Sequence, residues 1–211
     1  MADKEILIFV EGPSDKVFLE AYLYFLEDIP IKNFKVKDVT GKDNLSKRLL
    51  EIEEYDKTLI IFDADKDYES NKKEILSKTQ QKITEEQIFL FPNNQDDGDL
   101  ETLLLEIAKH DEFLKCFEGY LECIKSKEHY KPIKNISKSK WYAYLEVFEL
   151  QNFFKDKRNK NDKKNEEKII IDDKGKIRKE YKEEYEKLKE VIDFNSNSLI
   201  PLKDFLGQFA K

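Results

Sequence analysis

Three short apolar runs constrain this chain more than anything else in it: EILIFV at residues 5–10, TLIIF at 58–62 and QIFLF at 87–91. Continuous apolar runs of this length, ended by Gly, Pro or clustered acids, read as strands buried on both faces. The segments between them carry helical spacing. Ser14 is placed to cap a helix running to about residue 28, with Val17, Phe18, Ala21, Tyr22 and Phe25 on its inner face and Ile29-Pro30 ending it. Residues 33–39, NFKVKDV, alternate apolar and charged like an outer strand, and Thr40-Gly41 turns the chain. Residues 43–54 and 69–80 read as a second and a third helix. The order β-α-β-α-β-α-β predicts an α/β fold of Rossmann type, a four-stranded, mainly parallel sheet flanked by helices.

Past Pro92 the character changes. Asp99 can cap a helix to about Ala108, and residues 111–126 and 138–154 read as further helices. Residues 155–168 hold no apolar side chain and read as a solvated extension, linker or loop. Ile169 to Ile177 suggests a small hairpin, 178–193 a charged helix, and the tail LIPLKDFLGQF is apolar enough to dock. We therefore expect an α/β core over residues 1–95 and a helical C-terminal part over 96–211 packed on it, with a charged insertion at about 155–190.

Hydrophobic residues make up 39% of the 211, enough for a packed interior, and charged residues another 39%, well above the usual quarter. No run approaches 18 apolar residues, and the apolar stretch near the N-terminus stops at Glu11, too soon for a secretory signal. Cys116 and Cys123 suit one helix face rather than a disulfide. These features point to a soluble, cytoplasmic chain with no membrane association. Residues 1–124 carry 16 Lys/Arg against 29 Asp/Glu, and residues 125–211 carry 22 against 16. A metal-binding acidic half beside a basic half suits an anionic partner such as DNA or RNA.

The chemistry gathers where two buried strands end. Glu11 follows the first, and Asp63-x-Asp65 closes the third. In an open parallel sheet, ligands sit beyond the carboxyl ends of the strands. Three carboxylates converging there repel one another, and a hard divalent cation, Mg²⁺ or Mn²⁺, relieves that. Taken singly, Glu11-Gly12-Pro13-Ser14-Asp15 is a capped strand-to-helix turn and Asp63-x-Asp65-x-Asp67 a solvated turn. Taken jointly, at the ends of two strands of one framework, they point to a metal site in which Asp67 is a further ligand, an outer neighbour or simply exposed.

The stretches VEGPSD (Val10 to Asp15) and FDADKD (Phe62 to Asp67) resemble the two signature motifs of Toprim domains, found in topoisomerases, primases and OLD-family nucleases. The resemblance covers residues 4–95. It implies acid–base work or metal binding for Glu11, Mg²⁺ ligation by Asp63 and Asp65, and close backbone approach at Gly12. FPNNQDDGDLETLLLEIA (Phe91 to Ala108), SKSKWYAYL (Ser137 to Leu145) and the tail around Pro201 to Phe205 look like a narrower Toprim-like group, DUF3226. Neither zinc-ribbon cysteines nor a GxxxxGKS/T motif is present, so the resemblance is to a stand-alone Toprim unit.

Other residues lie within reach of the same edge. Asn94 and Glu101 follow the fourth strand and either border the site or serve a helix-capping loop. Lys138 and Lys140 either hold phosphates, with Trp141 stacking a base, or flank a core stripe of Trp141, Tyr144, Leu145 and Phe148. Lys155 to Lys164 carries a net charge of +4 and is either a nucleic-acid tether or a solvated insertion. His110 and His129 have no ligand spacing. The function expected is Mg²⁺-dependent phosphodiester chemistry on nucleic acid, most simply nuclease-type hydrolysis with Glu11, Asp63 and Asp65 as its catalytic groups. The alternatives are a non-catalytic module that binds metal, phosphate or nucleic acid, and a phosphoryl transferase acting on a small nucleotide.

Overall fold

The computed structural model describes residues 6–26, 34–154 and 176–209. Four strands form one parallel sheet: β1 (Ile6–Val10), β2 (Phe34–Asp38), β3 (Lys57–Asp63) and β4 (Ile88–Phe91), in the order β2-β1-β3-β4. β1 and β4 are wholly apolar, and β3 is apolar from Leu59 to Phe62. β1 aligns Val10 with Ile61 of β3, and β3 aligns Asp63 with Phe91 of β4.

The pleat sends alternate side chains into two cores. Ile6, Ile8, Val10, Leu59, Ile61, Phe89 and Phe91 face one side. There they meet α1 (Pro13–Phe25), α4 (Leu100–Glu106), α6 (Ile136–Val147), α7 (Gln151–Phe154), α8 (Lys182–Val191) and α9 (Ile200–Gly207). Leu7, Phe9, Ile60, Phe62, Ile88 and Leu90 face the other side, against Ile52 of α2 (Leu49–Glu54) and Ile75 of α3 (Tyr68–Lys78). The helical C-terminal part therefore shares one hydrophobic core with α1 and one face of the sheet. Each of these buried side chains contributes about 1.5–3 kcal/mol through removal from water. The remaining helix, α5 (Asp111–Lys125), lies at the periphery with no fully buried residue and carries the free, exposed Cys116 and Cys123.

Several helices differ from their sequence expectation. α1 begins at Pro13, with Gly12 rather than Ser14 as its cap residue. Proline suits the first helical position because its φ is preset and it has no N–H to leave unbonded. The Ser14 hydroxyl bonds instead to the Tyr142 hydroxyl at 2.9 Å. The second helix starts as a 3₁₀ segment, Lys42–Arg48, before becoming α2. The tighter turn rotates the apolar face, which buries Leu45 and leaves Leu50 75% exposed. The helix expected over 138–154 is two, α6 and α7, separated at Glu149, whose φ is +59°. The apolar-free run 155–168 and most of the hairpin at 169–177 lie outside the described residues. Among the described residues, no helix is long and apolar enough to cross a membrane.

Candidate metal centre

The loops leaving β1, β3 and β4 meet at the carboxyl edge of the sheet. The turn after β2 is stitched to the same edge: the Val39 amide donates to the Val10 carbonyl at 3.0 Å, and the Gly41 amide to the Glu11 carbonyl at 2.9 Å. The loop after β3 is tied to the loop after β4, with the Asp65 amide donating to the Gly98 carbonyl at 2.7 Å. Asp65 adopts φ +54°, a left-handed conformation that non-glycine residues seldom take without a constraint of this kind.

Four carboxyls here have raised pKa values. Asp63, the last residue of β3, accepts a hydrogen bond from the Leu100 amide at 2.9 Å through Oδ1. Burial nevertheless holds its carboxyl well above the usual range, and Asp15 and Glu11 push it further. Asp15 accepts from the Gly12 amide at 2.7 Å and is almost wholly buried. Its carboxyl is pushed up to about 7, first by burial and then by Glu101 and Glu11, against the lowering influence of the Gly12 amide. Glu11 is raised by burial and by Asp65 while Lys42 and the Asp63 amide pull it down, and its Oε2 is buried without a hydrogen-bond partner. Glu101, in the first turn of α4, is buried and raised by desolvation, partly offset by Lys138, whose Nζ lies 3.8 Å from its Oε1. A low-dielectric site holding this many acids favours protonation or a cation.

The sequence-expected residues divide. Glu11, Asp15, Asp63 and Glu101 come together, Asp65 stands beside Glu11, and Gly12 supplies the amide that Asp15 accepts. Lys138 reaches the cluster through Glu101, with most of its side chain exposed. Asp67 is occupied elsewhere: it caps α3, accepting from the Ser70 amide at 2.9 Å. Asn94 staples its own loop, its Oδ1 accepting from the Leu90 amide at 3.1 Å and the Tyr68 hydroxyl at 3.3 Å. Lys140 pairs with Glu118 of α5 at 2.7 Å. Trp141 is 1% exposed and packs on Tyr144 and Phe154, so it belongs to the core and offers no face to a base. Among the described residues, no three His, Cys, Asp or Glu side chains form a ready metal cage as they stand.

A model of the family described as protein of unknown function, DUF3226, matches the chain over residues 5–210. The chain belongs to the DUF3226 family. Neither a curated protein nor a solved structure matches it. The DUF3226 match spans both the parallel sheet and the helical part, in keeping with the core they share. It also takes in the segment from Phe91 to Ala108, which brings the Leu100 amide and Glu101 to the cluster.

Three contributors escaped the sequence reading: Lys42, Asn71 and Gly98. Lys42 donates to Asp65 Oδ2 and, at 2.8 Å, to Asn71 Oδ1. Gly98, at φ +147°, presents the carbonyl that receives the Asp65 amide. The Thr40-Gly41 turn at the carboxyl end of β2 was the available signal for Lys42. The Asp97-Gly98-Asp99 turn was the one for Gly98.

Proposed function

We propose that this DUF3226 protein carries out Mg²⁺- or Mn²⁺-dependent phosphodiester chemistry on nucleic acid, with hydrolysis as the reaction. The observation that carries the reading is the buried, unpartnered Glu11 Oε2 at the end of β1, beside Asp63 and Asp65 at the end of the adjacent parallel strand. An orphaned carboxylate oxygen in a desolvated acidic cluster is costly unless a proton or cation meets it. The donor set fits a hard cation: all oxygen, anionic, and needing only one or two direct carboxylates with water and phosphate completing the shell. The resemblance of Val10 to Asp15 and Phe62 to Asp67 to Toprim motifs supports the same assignment.

Asp63 and Asp65 would hold the ion, with Glu11 next to them. When bound, the ion supplies charge neutralisation at a phosphoryl group and lowers the pKa of a coordinated water. The chain's own groups do the rest. Glu11, whose carboxyl is raised by burial and is therefore a stronger base than a free glutamate, would accept a proton from an attacking water. Asp15 and Glu101 add buried carboxyls whose ionised form a bound cation would favour, and Lys138 offers a positive charge at the rim for a phosphate.

The test is thermal melting with and without millimolar Mg²⁺ or Mn²⁺, on wild type and on the Asp63→Ala/Asp65→Ala double variant, with labelled DNA and RNA incubated in parallel. The reading expects a metal-induced rise in melting temperature in wild type alone, together with cleavage of one of the nucleic acids. Metal binding with salt-sensitive nucleic-acid binding but no cleavage would move the protein to a binding module. No metal response in either protein would overturn the reading.

A further inference from the structure

The ammonium of Lys42 occupies a built seat at the edge of the cluster. Thr40 and Gly41, with φ of +57° and +99°, make the turn after β2, and the Gly41 amide pins that turn to the Glu11 carbonyl. Lys42 follows immediately. Its Nζ donates to Asp65 Oδ2 and to Asn71 Oδ1, and its charge lowers the pKa of Glu11. Asn71 is no passive neighbour, because its Nδ2 donates to the Ala64 carbonyl. That bond fixes which end of the amide is carbonyl, so Oδ1 is aimed at the lysine. The Lys42 side chain is 15% exposed and that of Asp65 53%. An ion pair open to water on one side contributes little to stability. Fixing the ammonium with an oriented amide therefore makes more sense as positioning than as reinforcement.

We propose that Lys42 is a substrate-binding residue with two partners: it pairs with Asp65 until a divalent cation takes that carboxylate, and its released ammonium then meets a phosphate of the substrate. A lysine suits this exchange because its charge sits at the end of a flexible four-carbon stem. Asn71 keeps the ammonium within reach of the site when Asp65 lets go. The inference rests on the proposed metal function and adds to it a residue that governs both metal affinity and phosphate affinity, in opposite directions.

The experiment titrates Mn²⁺ into the full-length protein by calorimetry, for wild type, Lys42→Met and Lys42→Arg. Binding of a labelled single-stranded oligonucleotide at saturating Ca²⁺ is then measured for all three. Removing a positive charge next to the ligand set should tighten Mn²⁺ binding about fivefold or more in Lys42→Met. The oligonucleotide should bind several-fold more weakly to the same variant, with a salt dependence shallower by about one ion. Lys42→Arg, which keeps the charge, should restore oligonucleotide binding and leave Mn²⁺ affinity near wild type. Unchanged or weaker Mn²⁺ binding in Lys42→Met overturns the proposal, as does unchanged oligonucleotide binding. If wild type itself binds no Mn²⁺, the metal reading fails first and this inference falls with it. If wild type binds Mn²⁺ and the variants match it, only this inference fails.

Discussion

The carboxylate of Asp63 accepts the amide of Leu100 at 2.9 Å, so the end of the central strand β3 is tied directly to the first residue of α4. One side chain thus serves as helix anchor and candidate metal ligand, and the two roles can be separated. Asp63→Asn keeps an oxygen for the Leu100 amide and removes a charge that burial, Asp15 and Glu11 all oppose. Because the folded-state pKa is raised, ionisation at neutral pH costs stability and the neutral isostere recovers it. We expect metal-free Asp63→Asn to melt about 2–6 °C higher than wild type while losing its response to Mg²⁺. Paired melting curves with chelator and with Mg²⁺ check both halves, and a variant that melts lower would show that the carboxylate charge stabilises the fold.

Asp15 gives the clearest pH signature. Its carboxyl is raised from 3.8 to about 7, so its contribution to stability is fully present below pH 3.8 and is lost as pH rises through 7. The stability of wild type minus that of Asp15→Asn should therefore fall across that window and level off above it, by roughly 2–4 kcal/mol in total. Urea denaturation of both proteins at stepped pH in chelator measures this difference. A flat profile would mean that Asp15 titrates as an ordinary aspartate.

Trp141 is the only tryptophan of the chain, which makes its environment easy to read. With 1% exposure it should emit at short wavelength, resist acrylamide quenching and ignore added nucleic acid. Trp141→Ala should cost about 3–5 kcal/mol by opening a cavity against Tyr144 and Phe154. Fluorescence quenching by an oligonucleotide would instead place the indole at a binding face.

Two glycines should respond oppositely to alanine. At Gly98, φ is +147° and an added Cβ would lie 3.0 Å from Pro92 Cδ. Gly98→Ala should therefore destabilise by about 1–3 kcal/mol and shrink the metal response, because Gly98 receives the Asp65 amide. Gly119, inside α5 with nothing near its Cβ position, should gain about 0.5–1 kcal/mol on the same change. Denaturant titrations of the two variants against wild type decide, and a stabilised Gly98→Ala would refute the steric argument.

The sheet was legible because uninterrupted apolar runs such as Leu59 to Phe62 have one comfortable place in a folded chain, between two covered faces. The carboxyl-edge position of Glu11, Asp63 and Asp65 followed from where those runs stop. Helix ends and side-chain partners were less legible, since each depends on competition with groups distant in sequence. Ser14 had a cap role available locally, but Pro13 started the helix earlier and Tyr142, 128 residues away, took its hydroxyl. Asp67 looked like one more ligand in an acidic string, yet the nearest unbonded amides were those at the start of α3. Trp141 had two readings, stacking a base beside Lys138 and Lys140 or joining a core stripe with Tyr144 and Leu145, and the apolar area of its ring placed it in the core stripe.

The amino-acid order by itself determined the strands, their parallel arrangement and the edge at which the acids gather, because hydrophobic period and strand polarity are local properties. Only the tertiary structure decided which charges face one another. Lys42, Asn71, Glu101 and Lys138 reach the cluster from four separate segments, and whether a carboxylate meets an ammonium, an amide or another carboxylate is set by packing between elements that no local spacing encodes.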